Sequence, residues 1–183
     1  RLGQQEPQDL QVARLMSYTF WGKLLGFPER IYTQAEVDKA RELIEKGYKH
    51  SLTIEGNHNF KDKMRQVLEF IKTADYYDFF RTYIRSVVEM EGFSQLREAD
   101  AAIWANMTML NDAVDAASYL VQKAQQMKDY VEGKLYYGTE EMSLVGKRVE
   151  FLEKLKEKSR SEDVKKRCDV LLKKWSDSAM MFP

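Results

Sequence analysis

Four carboxylates stand at intervals that suit a hard divalent cation. Glu42 and Glu45 lie three residues apart, and Asp112 and Asp115 repeat that interval. On a helix this spacing puts both members of a pair on one side. Two such pairs facing each other would hold Mg²⁺, which prefers carboxylate oxygens and bridges to phosphates. The same pattern also describes a solvated helix face, because Asn111, Asp115, Ser118, Gln122 and Asp129 fall in one narrow polar sector.

The carboxylate pairs resemble the Glu-x-x-Glu and Glu-x-x-Asp pairs of the all-α nucleotide pyrophosphatases, the MazG and dimeric dUTPase group. That resemblance implies Mg²⁺-dependent release of pyrophosphate from nucleoside triphosphates. Two features depart from the family pattern: two further helices intervene between the pairs, and Asp112 stands in place of a glutamate. The segment Ser51-Leu52-Thr53-Ile54-Glu55-Gly56-Asn57 resembles the regulatory helix motif of Fic-family AMP-transferases. The His-Pro-Phe-x-x-Gly-Asn-Gly-Arg loop of those enzymes is absent, so that family is not assigned.

Two other groups of residues point to macromolecular partners. Tyr77, Arg81 and Arg85 belong to a strongly aromatic stretch, and Tyr and Arg are enriched at interface hot spots. Met180, Met181 and Phe182 close the sequence with side chains that adapt to irregular apolar grooves. Lys166, Lys173 and Lys174 could follow a phosphate backbone, although acidic residues are interspersed among them. His50 and His58 flank the 51–57 turn without His-x-x-x-His spacing, and they read as surface or turn histidines.

Charge argues against nucleic acid as the chief partner. The chain has 29 basic and 29 acidic residues, and proteins that grip nucleic acid usually carry a basic excess. Cys168 is the only cysteine, so there is no internal disulfide, and a cytoplasmic or otherwise intracellular setting is the expectation. No apolar run approaches the ~20 residues of a membrane span, and the start of the chain shows no secretory pattern.

The elements that must position these residues read as helices. Only three prolines and nine glycines interrupt the 183 residues. Apolar side chains recur at helical spacing from 7 to 25, from 34 to about 52, from 58 to 71 and from 76 to 90. Thr33 with Glu36 forms a capping box for the second of these. A long central helix is expected from about Gln95 toward Leu135, with Ser94 as its N-cap and Asn106 inside its apolar arc, bonded to a neighbouring helix. Val145, Val149, Leu152 and Leu155, then Val164, Cys168, Leu171, Leu172 and Trp175, mark a helical hairpin over 139–177. Ser159 and Glu162 form a second capping box within it. No sustained alternation of period two appears, so no sheet is assigned.

The reading is an all-α single domain, residues 1–183, of about seven helices. Its expected function is a helical protein-interaction or assembly module without intrinsic catalysis or cofactor, whose partner is another protein or a second copy. The first alternative is the Mg²⁺-dependent pyrophosphatase-like enzyme built on Glu42, Glu45, Asp112 and Asp115. The second is a nucleic-acid-binding helical domain using Lys166, Lys173 and Lys174.

Overall fold

A computed structural model describes residues 34–134 and 140–180, with side chains over 36–134 and 144–177. The chain is helix-rich, as its periodicity requires, but it is not all-α. In order, the elements are α1 (Gln34–Glu45), β1 (Thr53–Glu55), α2 (His58–Thr73), α3 (Tyr77–Tyr83), β2 (Ser86–Glu89), β3 (Gln95–Arg97), β4 (Ala102–Ala105), α4 (Ala113–Val131), α5 (Glu140–Lys158) and α6 (Glu162–Met180). The expected first helix over 7–25 and the Thr33 cap lie outside the described residues.

Four strands form one sheet in the order β1-β2-β4-β3. β1, β2 and β4 run parallel, and β3 is antiparallel to β4 on the edge. The β1-to-β2 connection is a crossover through α2 and α3, which parallel pairing demands. This sheet corrects the all-α reading. The strands are only three or four residues long, and β4 is buried at every position, from Ala102 at 2% exposure to Ala105 at 0%. A strand covered on both faces shows no alternation, so its apolar run can be mistaken for part of a helical stripe.

The long helix from Gln95 therefore does not exist. Its first part folds as β3 and β4, and the helix proper, α4, starts at Ala113. Ser94 caps no helix. Its hydroxyl accepts from the Asn106 backbone N–H at 3.1 Å, and its carbonyl accepts from the Tyr119 hydroxyl at 2.9 Å. Asn106 is half-buried and sits just past β4. Its amide donates to the Gly92 carbonyl at 2.6 Å and accepts from Met109 N–H at 2.9 Å, so it ties two turns rather than two helices. The expected 76–90 helix is likewise cut to Tyr77–Tyr83, since Val87 and Val88 enter β2.

Where apolar spacing is regular, the helices form as read. Phe60, Met64, Val67, Leu68 and Ile71 bury one face of α2, and Asn57 caps it by accepting from Phe60 N–H. α4 keeps the central role. It packs against α1, α2, α3, α5 and α6, and it buries Val114, Ala117, Leu120, Val121 and Ala124. α1 is less covered than its stripe suggests, with Leu43 and Tyr48 exposed. On the sheet, Ile54, Val87, Ile103 and Leu96 share one face by register, and all four belong to or pack against the helical core.

Gly56 joins β1 to α2 at φ +155°, and a Cβ there would lie 2.7 Å from both Glu89 Cβ and Phe60 Cδ1. No room exists for it, because Glu89 is held against the turn by hydrogen bonds from the Asn57 N–H at 2.7 Å and side-chain amide at 2.8 Å. Gly56→Ala should therefore cost about 1–3 kcal/mol in equilibrium denaturation, the range for overpacking. A loss below a few tenths would show that the turn is loose.

Candidate interaction surface

The hairpin α5–α6 stands on α4, and its docking decides which of its residues face outward. Phe151, Leu152, Leu155, Cys168 and Leu171 are all buried at 1% exposure or less. On α6 the inward positions Val164, Cys168, Leu171, Leu172 and Trp175 follow helical spacing, as the sequence indicates. The loop between the helices is capped differently: Ser161 accepts from Val164 N–H at 3.4 Å, and the Ser159 hydroxyl accepts from Ser161 N–H.

Arg148 of α5 is the polar centre of this docking, and its side chain is only 7% exposed. Its Nε donates to the Ser118 hydroxyl at 3.1 Å, and its Nη2 donates to the Asp115 carboxylate and to the Asp115 carbonyl. The guanidinium carbon lies 4.1 Å from the centre of the Trp175 ring. One side chain thus joins α4, α5 and α6. The sector of Asp115, Ser118 and Asp129 is not the solvated stripe that its polarity suggests, since Ser118 is 0% and Asp129 5% exposed. Sequence reasoning missed Arg148 because a lone arginine amid Lys and Glu reads as surface. Its signal is the position one turn before Phe151 and Leu152, on the buried side.

Further ties fix the hairpin to the body. Arg167 donates to Asp112, which also accepts from Asp115 N–H and so caps α4. Lys158 pairs with Asp75, and the Tyr76 hydroxyl donates to Glu150. Lys156 and Asp169 bridge the two hairpin helices at 2.6 Å. Burial opposes ionisation of Asp112, but hydrogen bonds from Arg167 and from the Asp115 and Val114 backbone, with the Arg167 charge, outweigh it. Its pKa is held below the ordinary value of 3.8. Burial pushes the Cys168 thiol up to about 11.

The four candidate metal carboxylates lie in two separate places. Asp112 and Asp115 are each engaged by an arginine. Glu42 is exposed and pairs with Lys46, and Glu45 is also exposed. α1 meets the far end of α4, where Arg41 donates to the Val131 carbonyl. With ~1.5 Å rise per residue, the 19 residues of α4 separate the two carboxylate pairs by roughly 25–30 Å. The structure does not bring them together, and no group of three His, Cys, Asp or Glu able to hold a metal exists among the described residues. His50 is half-buried with its ring edge-on to Tyr48, whereas His58 is exposed beside Asp62.

Tyr77, Arg81 and Arg85 lie around α3. Tyr77 is half-buried with Arg81 and Lys72 each 5.2 Å from its ring, Arg81 pairs with Asp78 at 2.9 Å, and Arg85 is exposed. Met180 ends α6, while its side chain and the residues Met181 and Phe182 lie outside the described residues.

Much of α6 faces outward, and Lys166, Val170 and Lys173 form one strip of that surface. Val170 is 56% exposed, and Lys166 and Lys173, four residues before it and three after, flank it. Neither lysine has an ion-pair partner among the described residues, in contrast to Lys165 with Glu162. Lys174 extends beside the Trp175 ring, 5.0 Å from its centre. An exposed branched aliphatic between two unneutralised ammonium groups can receive an apolar side chain with carboxylates beside it.

Two depressions lie elsewhere. A small apolar cavity of about 120 Å³ runs beneath α1, between Val37, Ile44, Tyr83 and Met127. An open cleft of about 700 Å³ lies past the carboxyl ends of β2 and β4, with Glu89, Glu91 and Asn106 on its walls. Glu89 and Asn106 are both consumed by the turn contacts described above.

Residues 141–179, which span the hairpin, match a family model described as Med26: TFIIS helical bundle-like domain. The match covers less than half of the chain. No curated protein and no solved structure matches the sequence. No helix among the described residues is long and apolar enough to cross a membrane.

Two measurements check this docking. Arg148→Met leaves Asp115 without its guanidinium and should cost about 3 kcal/mol in chemical denaturation, at the low end for a broken buried pair because Asp115 still reaches water. A cost near zero would remove Arg148 from its central role. The depressed pKa of Asp112 makes its contribution complete above about pH 4 and lost as pH falls through the folded-state value. Asp112→Asn should flatten that acid limb of a stability–pH profile, and an unaltered limb would contradict the assignment.

Proposed function

We propose that this chain is a helical protein-interaction module of the transcription-associated kind, and that its hairpin carries the contact. The observation that supports this reading most is the coincidence of two independent boundaries. The segment that matches the TFIIS helical bundle-like model is also the segment that docks as a unit through Arg148, with Lys166, Val170 and Lys173 on its outward side. The partner is a protein, engaged through the α6 strip of Lys166, Val170 and Lys173. Its complementary surface carries an apolar side chain flanked by acidic groups. The α5–α6 hairpin and the α/β body belong to one domain, in which the body acts as the platform. An intracellular setting, nuclear in view of the likeness to Med26, follows from this function. No chemistry is assigned to the chain, and Glu42, Asp112 and Asp115 serve as ion-pair partners.

The test is binding with the fold held constant. Val170→Glu combined with Lys173→Glu should abolish recovery of specific partners in quantitative affinity purification from nuclear extract, with the melting temperature changed by no more than a degree or two, as exposed substitutions behave. Lys166→Glu alone should weaken recovery partially. Recovery that persists in the double variant would exclude the strip. Binding that instead follows added nucleic acid and falls steeply with salt would favour the nucleic-acid reading over the protein one.

A further inference from the structure

The cavity beneath α1 is built almost wholly from apolar and aromatic side chains. α1 contributes Ala40 and Leu43, α4 contributes Met127, and Tyr83 of α3 and His50 help to close it. Ala40 and Ala101 are the smallest side chains in the wall, and the space measures about 120 Å³. Leu43 is 40% exposed and Met127 4%, so the wall runs from a rim at the solvent into the core. An apolar cavity of about 150 Å³ stays free of water and accepts a benzene molecule, so this space matches a single aromatic ring.

The wall also holds a polar group in a fixed place. The His50 backbone N–H donates to the Arg81 carbonyl at 2.9 Å, and its ring lies edge-on to Tyr48 with centres 5.2 Å apart. The imidazole itself makes no hydrogen bond among the described residues. Burial, and next the Arg85 charge, hold its pKa below the ordinary 6.5. The ring is therefore neutral at pH 7, with one donor and one acceptor nitrogen to offer. No lysine or arginine lines the space, and its one carboxylate, Glu36, already has an interaction within the chain. A charged ligand would lose its hydration here without gaining a counter-ion.

We propose that this cavity is a binding site for one small, uncharged aromatic molecule of about the size of phenol, bearing a single hydroxyl or N–H. Its ring fills the space against Ala40, Ala101 and Met127, and its polar group bonds to the His50 imidazole. The ring gains by leaving water, and the one neutral hydrogen bond selects a polar derivative over a plain hydrocarbon. α1 is the roof of the site, held on α4 with Arg41 donating to the Val131 carbonyl, and the exposed Leu43 marks the entrance. The hairpin surface proposed above plays no part in this site, so each reading stands or falls alone.

The experiment is an NMR titration of the full chain with isotope-labelled methionine methyls, the Met127 resonance being assigned through Met127→Leu. The probes are phenol, toluene and benzoate. Phenol should shift the Met127 resonance saturably and bind about fivefold more tightly than toluene, for one neutral hydrogen bond. Benzoate should leave the resonance unmoved. His50→Phe should weaken phenol to the level of toluene and leave toluene itself unchanged. Ala40→Phe fills the space and should lose the shift while circular dichroism stays helical. If that variant does not fold, Leu43→Trp at the exposed rim serves the same end. No saturable shift with phenol would overturn the proposal, as would toluene or benzoate bound as tightly as phenol. Undiminished phenol binding in His50→Phe, or in folded Ala40→Phe or Leu43→Trp, would overturn it as well.

Discussion

Arg148 has to be buried among three helices, and that constraint shapes everything outward of it. A guanidinium at this depth is tolerable only with its donors satisfied, and Asp115, Ser118 and the Asp115 carbonyl satisfy them from one face of α4. Trp175 covers it from α6. The hairpin can therefore dock in one rotational setting only. Rotating α5 by a single residue, about 100°, would remove the guanidinium from Asp115 and expose Phe151. Apolar contact alone is less selective, since Leu152, Leu155 and Leu171 could repack with small losses.

That setting divides the hairpin into committed and available residues. Arg167, Lys156 and Lys158 are taken by Asp112, Asp169 and Asp75. Lys166 and Lys173 are left over, with Val170 between them. The balance of 29 basic and 29 acidic residues hides this, because whole-chain neutrality does not say which charges cancel locally. The α/β body supplies α4 as the platform, and one face of the sheet packs Ile54, Val87, Ile103 and Leu96 into the same core.

Much of the helical part was legible. α2 and α6 show regular stripes with little else to explain them, and Phe60 to Ile71 and Val164 to Trp175 face inward as their spacing requires. The sheet was not legible. Ala102 to Ala105 are buried on both faces, so the alternation that reveals a strand is missing, and their spacing to Met107 and Leu110 mimics a helix. Asn106 was recognised as a bonded amide, but its partners, Gly92 and Met109, come from turns that no periodicity encodes. Arg148 was invisible for a different reason. Burial of a charge depends on which distant groups converge on it, and that is tertiary information. The pairing of Asp112 and Asp115 with arginines of the hairpin belongs to the same class.

The hairpin carries its own reporter. Cys168 is 0% exposed in the core that the hairpin shares with α4, near Asp112, and its thiol is pushed up to about 11 by burial, so alkylation must wait for the hairpin to open. Iodoacetamide modification of the native protein at neutral pH, followed by intact mass, measures that opening. Modification should be slow in the parent chain and about a hundredfold faster in Arg148→Met, the factor for about 3 kcal/mol, with helical content unchanged. Rapid modification of the native parent, or the same slow rate in both chains, would contradict the claim that Arg148 sets the hairpin on the body.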